Sequence, residues 1–207
     1  SLENIRNFIA DNNVDFSIIS SVRDIDFEIQ SILDYYNSTL LSSDTPTPIK
    51  NKYKTLETLG KDRLSAVIGG HALYPNRDII ILDAGTCLTV DFINSEGEYI
   101  GGRISPGIEM RYKSLHAFTD QLPLLEKSKN SPFSGNDTNS SIVSGVQQGI
   151  LSEIQSIISD YKLKNPNLIT IITGGDCFYF EKELKNTIFA IPNLVLIGLN
   201  EILDYNA

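Results

Sequence analysis

Tryptophan is absent from this 207-residue chain, and sulfur is scarce, with one methionine and two cysteines. Cys87 and Cys177 stand far apart in sequence and in no metal-like spacing, which excludes a cysteine-based metal motif. Both lie beside apolar, strand-like stretches, where cysteine serves as a small buried hydrophobe, and a reducing, cytoplasmic setting is expected. The two histidines, His71 and His116, are isolated and are expected to be structural. Basic residues are in deficit: 17 Lys and Arg face 26 Asp and Glu, for a formal net charge of -9. That balance argues against general nucleic-acid binding, which depends on Lys and Arg neutralising phosphates. It leaves small anionic ligands open, because a few local cations or backbone amides hold those. No apolar run approaches the roughly 20 residues of a membrane span, and Ser1–Ala10 carries no signal-peptide pattern.

What is present is an ordinary globular composition, 41% hydrophobic and 21% charged. Ser1–Ala10 has helical spacing, Phe16–Val22 is a short β-rich run, and Ile25–Tyr36 returns to helical spacing. Ser42–Pro48 is a loop. Asp62–Ala72 is expected to be a helix whose small residues, Ala66, Gly69, Gly70 and Ala72, permit close packing. Strands are expected over Asp78–Asp83, Cys87–Ile93 and Glu98–Ile104, with an Asn94–Gly97 hairpin turn between the last two. Then come a helix over Ile108–Phe118, a polar loop over Lys127–Asn139 and a long amphipathic helix over Ser141–Tyr161. A strand at Leu168–Thr173, a helix at Phe178–Lys185, a strand at Leu194–Ile197 and a helix at Gly198–Tyr205 complete the chain. An antiparallel meander followed by crossover helices implies an α/β fold, a mixed sheet with helices on both faces. A boundary near Tyr74–Asp78 divides it into residues 1–77 and 78–207.

Four segments carry chemistry. The first is IIILDAGTCLTVD, Ile79–Asp91, an apolar strand ending in Asp83, a tight turn with Gly85 and Thr86, and a second strand. Glycine lets backbone approach a phosphate, successive turn amides form an anion-binding concavity, and Asp83 is poised for a cation. A plain hairpin with an Asx-type turn has the same composition. The second is LGKDR, Leu59–Arg63, at a helix start. Asp62 there either caps the helix or takes a proton from an acceptor hydroxyl, and Arg63 suits a carboxylate. The third, Gly101–Gly107, implies tight packing or a helix terminus facing a ligand. The fourth, Thr173–Asp176, is a strand-to-helix turn open enough for a nucleotide to lie on its backbone.

In this order and spacing the segments resemble the type III pantothenate kinase family. The likeness rests on NKYKTLETLGKDR (Asn51–Arg63), DAGTCLTVDFI (Asp83–Ile93), GGRISPGIEM (Gly101–Met110), LHAFTDQLP (Leu115–Pro123), GNDTNSSIVSG (Gly135–Gly145) and TGGD (Thr173–Asp176). The Asp-x-Gly-Thr element alone marks only the wider actin-like superfamily. The resemblance implies a ribonuclease H-like, actin-like fold of two similar subdomains, the first one truncated here. It implies transfer of the ATP γ-phosphate to the primary hydroxyl of pantothenate, the first step of coenzyme A synthesis. Asp62 would be the general base. Tyr53, Gly60, Lys61 and Arg63 would line the pantothenate pocket, and Thr138 would reach it across a homodimer interface. Gly85, Thr86, Gly174 and Gly175 would bind ATP, which arrives with Mg2+. Asp83 would hold a monovalent cation, K+ or NH4+.

The family pattern opens with a strand and an Asp-x-Gly-Asn-Thr phosphate loop, and the sequence starts after it, so it is expected to be part of a longer protein. LETLG lacks the Pro common before Leu-Gly, and Cys87 stands where Ala is usual. Two rival readings remain. A non-catalytic relative on the same fold would bind nucleotide without turnover. A sugar or acetate kinase would keep Asp83, Gly85 and Thr86 but has no need of the GKDR and GNDT segments.

Overall fold

The computed structural model describes residues 7, 12, 14–21, 27–36, 38–184 and 188–207. The helix expected over Ser1–Ala10 lies outside these, Asn7 apart. Two short strands, β1 (Ile18–Ile19) and β2 (Thr39–Leu40), pair in parallel around α1 (Phe27–Tyr35). The main sheet has six strands: β3 (Lys50–Asn51), β4 (Ile79–Ala84), β5 (Cys87–Ile93), β6 (Glu98–Pro106), β7 (Ile169–Thr173) and β8 (Phe189–Ala190). Their order is β3-β6-β5-β4-β7-β8. β4, β5 and β6 form the antiparallel meander, and β7 and β8 add in parallel beside β4. This is the expected α/β architecture.

β4 is central and buried on both faces. Ile80 and Leu82 join Leu88 and Val90 under Ile108 and Tyr112 of α3 (Ile108–Ala117). The same layer receives Ile150, Ile154 and Ile158 of α5 (Gly149–Lys164) and Phe180 of α6 (Cys177–Glu183). On the opposite face Ile79 and Ile81 pack with Val67 and Ile68 of α2 (Lys61–Leu73) and with Leu194 and Ile202 of α7 (Leu194–Asn206). Alternate residues of one strand thus serve two cores, as a covered sheet requires. α2 and β3 both precede residue 77, yet α2 lies under β4 and β3 is hydrogen-bonded beside β6.

The small residues of α2 do bring a helix close. A Cβ on Gly69 would lie 2.5 Å from the Leu194 carbonyl oxygen, and one on Gly198 would lie 1.7 Å from that of Ser65. Ala72 is exposed and takes no part.

This packing corrects one expectation. Leu194–Ile197 is the first turn of α7, and the edge strand is Phe189–Ala190, paired with Ile171 and Ile172. A four-residue apolar run has no periodicity of its own; the α2 surface gives it one. The long helix also begins earlier than expected. Asp137 caps it, with its Oδ1 accepting from Ser140 N at 3.0 Å while Ser140 Oγ accepts from Asp137 N at 3.1 Å. Thr138 therefore lies in the first turn of α4 (Thr138–Val143), which continues through a π turn at Ser144–Gln148 into α5.

Candidate functional site

α2 starts at Gly60, whose extended backbone (φ -56, ψ 129) turns the chain into the helix. Asp62 follows in the first turn, exposed, its Oδ1 accepting from Arg63 N at 2.8 Å. A Cβ at Gly60 would approach that oxygen to 2.5 Å, so the glycine leaves room for the carboxylate. Arg63 points inward. Its Nε and Nη2 donate to Asp91 Oδ2 and Oδ1 at 3.0 and 2.5 Å, and Tyr99 OH donates to Asp91 Oδ1 at 2.6 Å. Tyr53 stacks on Tyr99 (centroids 6.0 Å apart, planes 7° apart) and lies 5.5 Å from the Arg63 guanidinium. Burial works to lower the Arg63 pKa; hydrogen bonds and charge from Asp91 outweigh it and hold the guanidinium above its ordinary value. Burial, then the Asp91 charge, push the Tyr99 hydroxyl up, so it remains a donor.

Asp83, the penultimate residue of β4, is partly buried beside this group. Burial, then the charges of Asp62 and Asp91, raise its pKa from 3.8 to about 6. Among the described hydrogen bonds and ion pairs, none neutralises it. Gly174 leaves β7 with φ +87, where a Cβ would lie 2.4 Å from Asp83 Oδ1 and 2.6 Å from the Ala84 oxygen. Only glycine fits there on both counts. The donor set suits a cation of low charge density: one charged carboxylate in a negative field. Among the described residues no group of three His, Cys, Asp or Glu is placed to hold a metal ion.

The Gly85–Thr86 turn opens onto a cleft of about 700 Å3. Gly175 and Asp176 form one wall, Tyr112 and Lys113 of α3 another, and the segment Leu124–Lys127 a third. α3 begins against the turn: Gly107 N donates to Thr86 O at 3.0 Å, and a Cβ at Gly107 would meet Gly85 O at 2.1 Å. The volume suits a nucleotide-sized ligand.

Of the residues singled out from sequence, Tyr53, Gly60, Lys61, Asp62 and Arg63 gather at the start of α2. Gly85, Thr86 and Gly175 line the cleft, and Gly174 lies beneath Asp83. Thr138 is apart from both groups, exposed at the start of α4. Burial raises the Cys177 thiol pKa and lowers that of the His71 imidazole.

The sequence profile of the type III pantothenate kinases matches residues 2–160. The chain belongs to the type III pantothenate kinase family. A type III pantothenate kinase from Bacteroides fragilis is 50% identical over 166 residues, covering 80% of this chain and 68% of the relative. One from Porphyromonas gingivalis is 40% identical over 207 residues, covering 98% and 84%. Among solved structures, a conserved Baf family protein from Campylobacter jejuni shares the fold, with TM-score 0.61 at 21% identity, over 98% of this chain and 88% of that one.

Sequence reasoning passed over Tyr99, Tyr112 and Lys127, and gave no role of their own to Asp91 and Asp176, the last residues of two of its segments. Asp91 had a signal. In β5, Thr89, Asp91 and Ile93 share one face, so a carboxylate falls toward an apolar layer and demands a buried partner. Asp176 had one too, its place beside Gly175 in TGGD; Tyr99, Tyr112 and Lys127 had none, because strands and loops distant in sequence bring them to the site.

Proposed function

We propose that this enzyme transfers the ATP γ-phosphate to the primary hydroxyl of pantothenate, the first step of coenzyme A synthesis, with Asp62 as general base. The observation that carries the base assignment is the reach of the Asp62 charge to Asp83. That charge helps to raise the Asp83 pKa, after burial, so the start of α2 and the turn after β4 lie close together. Asp62 Oδ1 is anchored by the Arg63 amide, which in this reading leaves Oδ2 for the acceptor hydroxyl. It takes the hydroxyl proton as the oxygen attacks phosphorus and the bond to the bridging oxygen of ADP breaks.

Tyr53, Gly60, Lys61 and Arg63 line the acceptor pocket in this reading. Arg63 is already held twice by Asp91, so it meets the acceptor with its remaining N–H groups, in an orientation set from behind. Gly85 and Thr86 carry the ATP phosphates, helped by the amino end of α3 packed on that turn, and Gly174 and Gly175 let the nucleotide base lie against their backbone. Asp83 holds K+ or NH4+, which supplies positive charge beside the phosphates. Mg2+ would arrive bound to ATP and would help neutralise the phosphate charge. A second subunit completes the acceptor pocket with Thr138, which its exposure at the start of α4 permits. A cytoplasmic setting accords with two free cysteines. Among the described residues no helix is long and apolar enough to cross a membrane.

The test is ATP-dependent phosphorylation of pantothenate by the full-length enzyme, with and without potassium, beside Asp62→Asn. Product that rises with potassium and vanishes in the variant supports the assignments. An Asp62→Asn enzyme with undiminished turnover removes Asp62 as base.

A further inference from the structure

The third wall of the cleft, Leu124–Lys127, belongs to a stretch without regular structure between α3 and α4. One buried side chain fastens its end. Gln147, 0% exposed, projects from the π turn that interrupts the long helix. Its Oε1 accepts from Tyr112 OH at 2.8 Å and from Ser128 N at 2.8 Å. Its Nε2 donates to Ser128 O at 3.0 Å and to Tyr179 OH at 2.7 Å. Two donors and two acceptors exhaust what a carboxamide offers, and the pattern fixes which end is oxygen. Both backbone polar groups of Ser128 are thus tied to one side chain, as a strand neighbour would tie them.

The residue before Ser128 is Lys127, whose ammonium is paired with Asp176 at the cleft and lies 5.3 Å over the Tyr179 ring. Tyr112, Lys127 and Asp176 line the cleft, and Gln147 bonds Tyr112, the neighbour of Lys127 and the ring beneath it. Gln147 does not itself line the cleft. Helix π turns recur where a side chain must be offered at an irregular angle to a functional site.

We propose that Gln147 is a positioning residue for nucleotide binding: it holds Ser128, and through it the Leu124–Lys127 wall and the Lys127 ammonium, in register with the Gly85–Thr86 turn. This rests on the reading of the cleft as the nucleotide site. Lys127 then exchanges Asp176 for an anionic group of the nucleotide without having to be ordered first.

The experiment uses the full-length enzyme, Gln147→Met and steady-state kinetics in each substrate, with amide hydrogen exchange on the same proteins. The expected result is a Michaelis constant for ATP raised about tenfold, as loss of a net hydrogen bond or two would produce. That for pantothenate stays within roughly twofold. Exchange over residues 124–131 speeds up while β4 and β7 keep their protection. Equal rises for both substrates, or an unchanged constant for ATP, overturn the inference. If Gln147→Met fails to fold, Tyr179→Phe decides: it deletes one of the four bonds at a half-buried position and gives the same selective pattern at smaller amplitude. No rise for ATP in that variant overturns the inference. Should ATP fail to slow exchange at 85–86 and 124–128 in the unaltered enzyme, the cleft reading falls and the inference with it. Protection there beside an unaffected variant overturns the role of Gln147 alone.

Discussion

Arg63 on α2 grips Asp91 on β5 through two parallel hydrogen bonds, with both side chains almost wholly buried. Removing one partner strands the other charge in a nonpolar layer. Asp91→Asn or Arg63→Met is therefore expected to lower stability by about 3–5 kcal/mol, measured by urea unfolding. The double variant Arg63→Met with Asp91→Leu is expected to recover much of that loss while remaining inactive. Full activity in the stable double variant would show that the pair serves stability alone.

Asp83 gives a pH dependence with a definite sign. Its pKa in the fold, about 6, lies above the ordinary 3.8. Its contribution to stability is thus present in full below pH 4 and is lost as pH rises through 6. Asp83→Asn is expected to be more stable than the unaltered protein at pH 8 without potassium, by about 2 kcal/mol, and no more stable at pH 4. Potassium is expected to raise the melting temperature of the unaltered protein at pH 8 and to leave the variant alone. Thermal scans at the two pH values read both.

Gly174 joins the same carboxylate to backbone geometry. Alanine there faces a left-handed φ of +87 and contacts of 2.4 Å with Asp83 Oδ1 and 2.6 Å with Ala84 O. Gly174→Ala is expected to cost about 1–3 kcal/mol and to abolish the potassium response, since Asp83 must move. Gly175→Ala, with nothing near its Cβ position, is the control and is expected to unfold like the parent.

Asp62 is exposed and accepts one local hydrogen bond, so Asp62→Asn should change stability by less than about 1 kcal/mol. Turnover is expected to fall by about 10²–10⁴-fold, the usual share of a general base. ATP affinity, read by calorimetry, is expected to stay near that of the parent. A parallel loss of ATP affinity would assign Asp62 to binding.

The amino-acid sequence by itself determined the elements with strong local signals. β4, β5 and α2 stand within a residue of the spans read from the sequence, because β-rich IIILDA and CLTVDFI are bounded by turn residues and α2 starts at a glycine turn. The glycine at a turn, the carboxylate at a strand end and their order along the chain likewise made the family legible. Tertiary structure decided the rest. Leu194–Ile197 is helix because Gly198 and Gly69 let α7 settle on α2, a contact made by residues far apart in sequence. Asp91 owes its partner to the same kind of distance, and Gln147 its meaning to three neighbours from α3, the Ser128 stretch and α6. Periodicity reports which face of an element is buried; what that face meets depends on chain closure over many residues, which no local pattern records.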